Sequence, residues 1–202
     1  SARVLFLPRS AGEAGYTYPL SGRLHKRSRT NMSNEVLSKK IFRDASGALL
    51  AINEVIGHIR EYVLLHPQSF FEVVVGSDSQ GAISGRAKFA TAIVVRRVGN
   101  GAIYFWTRTE EKFFNLKDRI LKEAMLSITL AQELRGRMKE ELGEELFGDQ
   151  RLEFRCIHLD LGKEGPTREL IDSISGMVKG FGFEPVIKPY SNGAFVVADR
   201  HT

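Results

Sequence analysis

A chain of 202 residues with 43% hydrophobic and 26% charged side chains has the composition of a globular protein with a sizeable core, and excludes disordered and collagen-like classes. No apolar run approaches the roughly 20 residues a bilayer span needs, and the single cysteine, Cys156, excludes an internal disulfide and points to a reducing, cytoplasmic setting. The net charge of +5 sits at one end: residues 1–31 carry six basic side chains and one acid, leaving 23 of each sign from Met32 onward, so bulk basicity does not by itself argue for a nucleic-acid partner.

Residues 1–31 are rich in Gly, Ser, Pro and Arg and lack periodicity. They read as a disordered basic tail or upstream segment, or as an arm touching phosphates, ahead of one domain over 32–202. From Asp44 to about Leu65, Leu49, Ile52, Val55, Ile56, Ile59 and Val63 recur at helical spacing and predict an amphipathic helix, with His58 and His66 at its solvent boundary. Phe71–Gln80 is a β-branched run ending in Gly-Ser-Asp-Ser, the pattern of a strand buried on both faces. Asp78 at its tip is costly to desolvate unless it caps backbone amides in a turn or meets a cation such as a metal ion.

Ala87–Arg97 predicts a second strand, Val98-Gly-Asn-Gly a tight hairpin, and Ile103–Arg108 a third strand. Leu116 to about Leu146 reads as the longest helix, with Gly136 and Gly143 as candidate breaks. Leu152–Asp160 is a strand, Thr167–Phe181 a helix preceded by Gly165 and Pro166, Pro185–Lys188 a strand, and Asn192–Arg200 a closing helical segment. This order argues for an α/β fold: a mixed five-stranded sheet, made of a three-strand antiparallel meander and two parallel strands fed by right-handed crossovers, flanked by helices.

Strands 71–80 and 152–160 both end in a carboxylate, and if they are parallel neighbours Asp78 and Asp160 lie side by side. On the long helix, at about 100° per residue, Ile120, Ala124, Ser127, Ala131, Leu134 and Met138 form the buried stripe. Glu123 falls on that stripe and faces inward, either toward the strand ends or paired with Arg119 one turn earlier. Glu133 falls on the outer face and reads as a solvated charge. Asp199, in the closing Val-Ala-Asp-Arg-His-Thr, is anchored by Phe195, Val196 and Val197, although chain ends fray. Four converging carboxylates are a ligand set for a hard divalent cation, Mg²⁺ or Mn²⁺, and two such ions can activate water and stabilise a leaving oxygen at a phosphodiester.

Val-Gly-Ser-Asp-Ser-Gln (75–80), His-Leu-Asp-Leu-Gly (158–162), Gly-Met-Val-Lys-Gly-Phe-Gly-Phe-Glu (176–184) and Val-Ala-Asp-Arg-His-Thr (197–202) resemble the ribonuclease H-like superfamily and, within it, the YkuK family of bacterial proteins. The resemblance spans roughly 44–202. It implies a ribonuclease H-like fold with Asp78, Glu123, Asp160 and Asp199 as metal-ligating and catalytic carboxylates, and a nucleic acid, RNA, DNA or hybrid, as partner. The function expected is a divalent-metal-dependent nuclease. The alternatives are a non-catalytic nucleic-acid-binding or protein-interaction module on the same scaffold, and a phosphatase acting on small esters. His158 shares a sheet face with Asp160 by strand alternation and reads as a water-orienting group or a boundary residue. His201 is a candidate proton shuttle, and Lys163, Arg168 and Lys188 are candidate phosphate contacts.

Overall fold

The computed structural model describes residues 40–80, 85–148, 151–162, 164, 168–191 and 194–202. The tail 1–31, Lys163 and the Gly165–Pro166 pair lie outside the described residues. The elements are β1 (Phe42–Asp44), β2 (Leu49–Leu50), α1 (Ile52–Leu64), β3 (Phe71–Gln80), β4 (Arg86–Arg97), β5 (Ala102–Lys112), α2 (Leu116–Gly148), β6 (Leu152–His158), a 3₁₀ turn (Arg168–Leu170), α3 (Ile171–Gly180), β7 (Glu184–Val186) and α4 (Ala194–Asp199). They build one mixed sheet in the order β2-β1-β5-β4-β3-β6-β7. As the sequence predicts, β3, β4 and β5 form an antiparallel meander, and β6 and β7 add to β3 in parallel. Gly99 and Gly101, both at positive φ, close the 97–102 hairpin.

The sheet has seven strands rather than five, because the expected helix from Asp44 begins only at Ile52. Asp44 Oδ1 accepts hydrogen bonds from Ser46 N (2.8 Å), Ser46 Oγ (2.7 Å) and Ala48 N (3.0 Å), and Gly47 adopts φ 87°. This side-chain-nucleated turn folds 42–50 into a short hairpin whose first strand pairs with β5. α1 then starts with the Glu54 carboxylate accepting from the Ala51 N–H at 2.7 Å.

One face of the sheet carries the main core. Val73, Val75, Ile93, Val95 and Ile157 pack there against Ile56 and Ile59 of α1, Ile128 and Leu134 of α2, and Ile174 and Val178 of α3. The opposite face carries a smaller cluster in which Val74, Ala90, Ala92 and Val94 pack against Ala194 and Ala198 of α4. α2 leaves helical geometry at Gly143 (φ 74°), the second of the two expected breaks. Among the described residues no helix is long and apolar enough to cross a membrane.

Glu133 is a correction. It is only 9% exposed, with Arg137 3.4 Å away in an (i, i+4) ion pair and the Lys40 charge nearby. The angular count treats α2 in isolation, whereas Arg137 also reaches Asn53 of α1 at 3.2 Å, so a second helix covers what would otherwise be an outer face. Arg137→Met strands the Glu133 carboxylate, and chemical denaturation at pH 7.5 is expected to show a loss of about 1–3 kcal/mol.

Candidate active site

β3, an interior strand between β4 and β6, brings Asp78 close to its end, where it is buried at 8% exposure. Gly76 pairs with His158 in the parallel β3/β6 ladder, so Asp78 and Asp160 each lie two residues beyond the last pairing. The two strands are thus the parallel neighbours expected, with each aspartate just beyond the paired residues. Asp78 stands opposite Ala90 of β4, which packs on α4, so Asp78 points to the α4 face. Asp199 closes α4 and is exposed. α4 can lie this close because Gly76 has no side chain: a Cβ there would meet Ala194 Cβ at 3.0 Å and the His158 carbonyl oxygen at 3.1 Å.

Glu123 comes from the other face. It is 8% exposed, and Ser79 Oγ, which alternates to the α2 side of β3, donates to its Oε1 at 2.5 Å. The Arg119 pairing weighed for it is also present, with Nε 4.0 Å from the same oxygen. Behind it, Ser127 Oγ lies 2.9 Å from Ser77 Oγ and 3.0 Å from the Glu123 carbonyl, and Ser77 and Thr91 share a 2.9 Å hydrogen bond. A cavity of about 10 Å³ between α2 and the end of β6 is lined by Ser77, Glu123, Ser127 and Asp160 among others, room for about one water molecule.

These positions make one electrostatic neighbourhood. Burial pushes the Asp78 carboxyl up to about 6, and the Asp160 and Asp199 charges add to the rise, opposed by a Ser79 backbone hydrogen bond and by Arg119. Burial pushes Glu123 up to about 7, with Asp78 and Asp160 repelling and the Ser79 hydroxyl and Arg119 opposing. Asp160 is half-buried and in ion-pair contact with Lys188 Nζ, although its Oδ1 lacks a hydrogen bond of good geometry.

Among the described residues no three His, Cys, Asp or Glu side chains close to metal-holding distance. The all-oxygen donor set and the two carboxyls driven toward protonation fit a hard divalent ion in chemistry, with Lys188 as the cation that now meets Asp160. For one ion to take three of these ligands, the side chains must draw closer. The faces explain the gap: Asp78 with Asp199, and Glu123, approach the strand end from opposite sides of the sheet.

Of the other candidates, burial together with Arg96 holds His158 near 4, which makes it neutral at physiological pH. His201 stacks on Trp106 at 4.1 Å and 7°. Arg168 is exposed, and Lys188, also exposed, is paired with Asp160. Sequence reasoning missed Ser79 as the Glu123 partner. The signal was there in the Ser-Asp-Ser alternation, which puts the two serines on the face opposite the aspartate.

A family model described as ribonuclease H-like matches residues 54–202, a span that contains all four carboxylates. A protein of Bacillus subtilis (strain 168) named uncharacterized protein YkuK is 31% identical over 171 residues, covering 80% of this chain and 96% of that protein. With the meander, the parallel β3/β6 pair and carboxylates at the strand ends, these matches show that the chain belongs to the ribonuclease H-like family and is similar to YkuK.

Proposed function

We propose that this protein is a divalent-metal-dependent nuclease that hydrolyses phosphodiester bonds of a nucleic acid. The family is associated with nuclease and nucleic-acid-related activity. The observation that carries the finer reading is the pair of buried carboxyls, Asp78 and Glu123, raised by desolvation and by neighbouring carboxylates, Asp160 and Asp199 on Asp78, Asp78 and Asp160 on Glu123. Two buried carboxyls this far raised are costly to hold ionised beyond what Arg119 offsets, and a bound cation would relieve that cost.

Asp78, Glu123, Asp160 and Asp199 are the residues that would hold Mg²⁺ or Mn²⁺. The bound ion supplies an activated water and neutralises charge on the phosphate. Ser79 fixes the Glu123 carboxylate by its hydroxyl donation. Arg119 and Lys188 each offset one carboxylate, and a phosphate arriving at the strand ends meets both as cationic donors. His158, neutral near physiological pH, is suited to orient a water rather than to carry charge.

A second reading, a binding module without catalysis, is favoured by the absence of three closely converged ligands among the described residues. Calorimetry with Mn²⁺ and Mg²⁺, paired with cleavage of labelled RNA, DNA and hybrid in the same samples, separates the two. Ion binding with cleavage that EDTA abolishes is the expected result. Failure to cut any polymer with either ion sinks the nuclease and leaves the module.

A further inference from the structure

The α4 face of the sheet is covered by a six-residue helix, and beyond it, over β5 and β1, lies an aromatic and cationic surface. Trp106 pairs across strands with Arg43 of β1 and Ala92 of β4, and Tyr104 and Arg108 flank it on the same face of β5. The Arg43 and Arg108 guanidinium carbons lie 5.8 and 5.3 Å from the Trp106 ring centroid. His201 lies parallel to the indole at 4.1 Å, with Tyr104 6.1 Å away and tilted by 37°. Arg108 Nε donates to the His201 carbonyl at 2.7 Å, which fixes the stack in place. Tyr104, Trp106 and His201 are half-buried, whereas Arg43, Arg108 and Arg200 are exposed.

A clamp holding 199–202 against the sheet needs only the Arg108 hydrogen bond and the ring contact. It does not account for two guanidiniums, Arg43 and Arg108, set beside the indole, neither of which forms an ion pair with a carboxylate among the described residues. A polyanion would offset the repulsion between them. Planar rings beside cations are what an unpaired base and its flanking phosphates require, since every base offers a π-face that stacks on an aromatic ring. A duplex hides those faces inside its own stack.

We propose that Tyr104, Trp106 and His201, with Arg43 and Arg108, form a single-strand nucleic-acid subsite in which an unpaired base extends the Trp106–His201 stack and the arginines take the flanking phosphates. The inference rests on the nucleic-acid reading above and names the form of the substrate: single-stranded, or locally unpaired. His201 lies two residues after Asp199, so a strand held on this surface passes to the carboxylates.

Trp106 is the only tryptophan in the chain, which makes its emission a site-specific probe. The full chain in EDTA is titrated with a twelve-nucleotide oligothymidylate and with a blunt duplex of equal length, and labelled-oligomer anisotropy is followed in parallel. The single strand is expected to quench Trp106 saturably and to bind at least about tenfold more tightly than the duplex. Arg43→Gln with Arg108→Gln is expected to weaken binding about tenfold and to flatten the slope of log affinity against log salt by about 1.4, at roughly 0.7 for each phosphate no longer neutralised. His201→Ala, checked for folding by circular dichroism, is expected to weaken single-strand binding about fivefold.

Anisotropy without quenching, equal affinity for the duplex, unchanged affinity in the arginine double variant, or no binding at all overturns the subsite. Because no divalent ion is present, this outcome is independent of cleavage: a metal-dependent nuclease can bind its substrate elsewhere, and an inactive protein can still show the quenching.

Discussion

Replacing Asp78 by Asn and Glu123 by Gln together is expected to cut divalent-ion-dependent cleavage at least about a thousandfold, while making the metal-free protein more stable at pH 7.5. The two effects share a cause. Both carboxyls are buried at 8% exposure and raised by desolvation, to about 6 and about 7. Each tenfold gain in proton affinity corresponds to about 1.4 kcal/mol, so holding each group ionised at neutral pH costs on the order of 3 kcal/mol. Because neutralising Asp78 already relieves part of the repulsion on Glu123, the pair is expected to return about 2–5 kcal/mol rather than the full sum.

The isosteric amides keep the local hydrogen bonds, since Gln can still accept from Ser79 Oγ and Asn from the Ser79 N–H. Between about pH 4 and 7 the folded protein holds protons on these two carboxyls that the unfolded chain has released, so their contribution falls as pH rises through that window. Thermal melts of wild type and double variant in EDTA should therefore coincide near pH 4, diverge through pH 6 and 7, and differ most above it. Saturating Mn²⁺ should stabilise the wild type and leave the variant unmoved. A variant no more stable than wild type at pH 7.5 would mean that Arg119 and Lys188 already compensate the cluster, and the case for a missing cation fails with it.

The features legible in the sequence are those set by local pattern. β-branched runs and the Gly-Asn-Gly turn specify the meander, and the apolar stripe of α2 is enough to turn Glu123 inward. Tertiary cover is what periodicity cannot see. Asp44 to Leu50 reads as helix because Leu49 and Ile52 continue the α1 spacing, yet the Asp44 side chain competes for the backbone and makes a turn. Glu133 reads as outward because the angular count carries no information about α1. Strand parity separates Asp78 from Ser77 and Ser79, but which helix covers which face is a long-range outcome, and it keeps Glu123 on the side opposite Asp199. The Lys188–Asp160 pair and the Trp106–His201 stack join residues 28 and 95 positions apart by subtraction of their numbers, beyond any local pattern.

Gly76→Val is expected to lower stability by about 1–3 kcal/mol and to shift Trp106 emission toward the red, through a residue that touches neither the indole nor a carboxylate. Valine gains strand propensity over glycine by up to about 1 kcal/mol, so on β3 alone the change should help. Against that, the first added carbon already lies 3.0 Å from Ala194 Cβ, 3.1 Å from the His158 carbonyl oxygen and 3.4 Å from His158 Cβ. Two further methyls overpack the contact, and such insertions cost about 1–3 kcal/mol or more. His158 is held in the β3/β6 ladder, whereas α4 is six residues long, too short to persist without its packing. α4 is therefore what yields. Its displacement carries Asp199 from the strand end and lifts His201 off Trp106, which exposes the indole to water. Gly76→Ala, with a single added carbon, should be near neutral in melting yet already weaken the ring stack. A Gly76→Val protein with unchanged melting and unchanged Trp106 emission would show that α4 is seated by something other than its approach to Gly76, and would separate Asp199 and the aromatic surface from the geometry of β3.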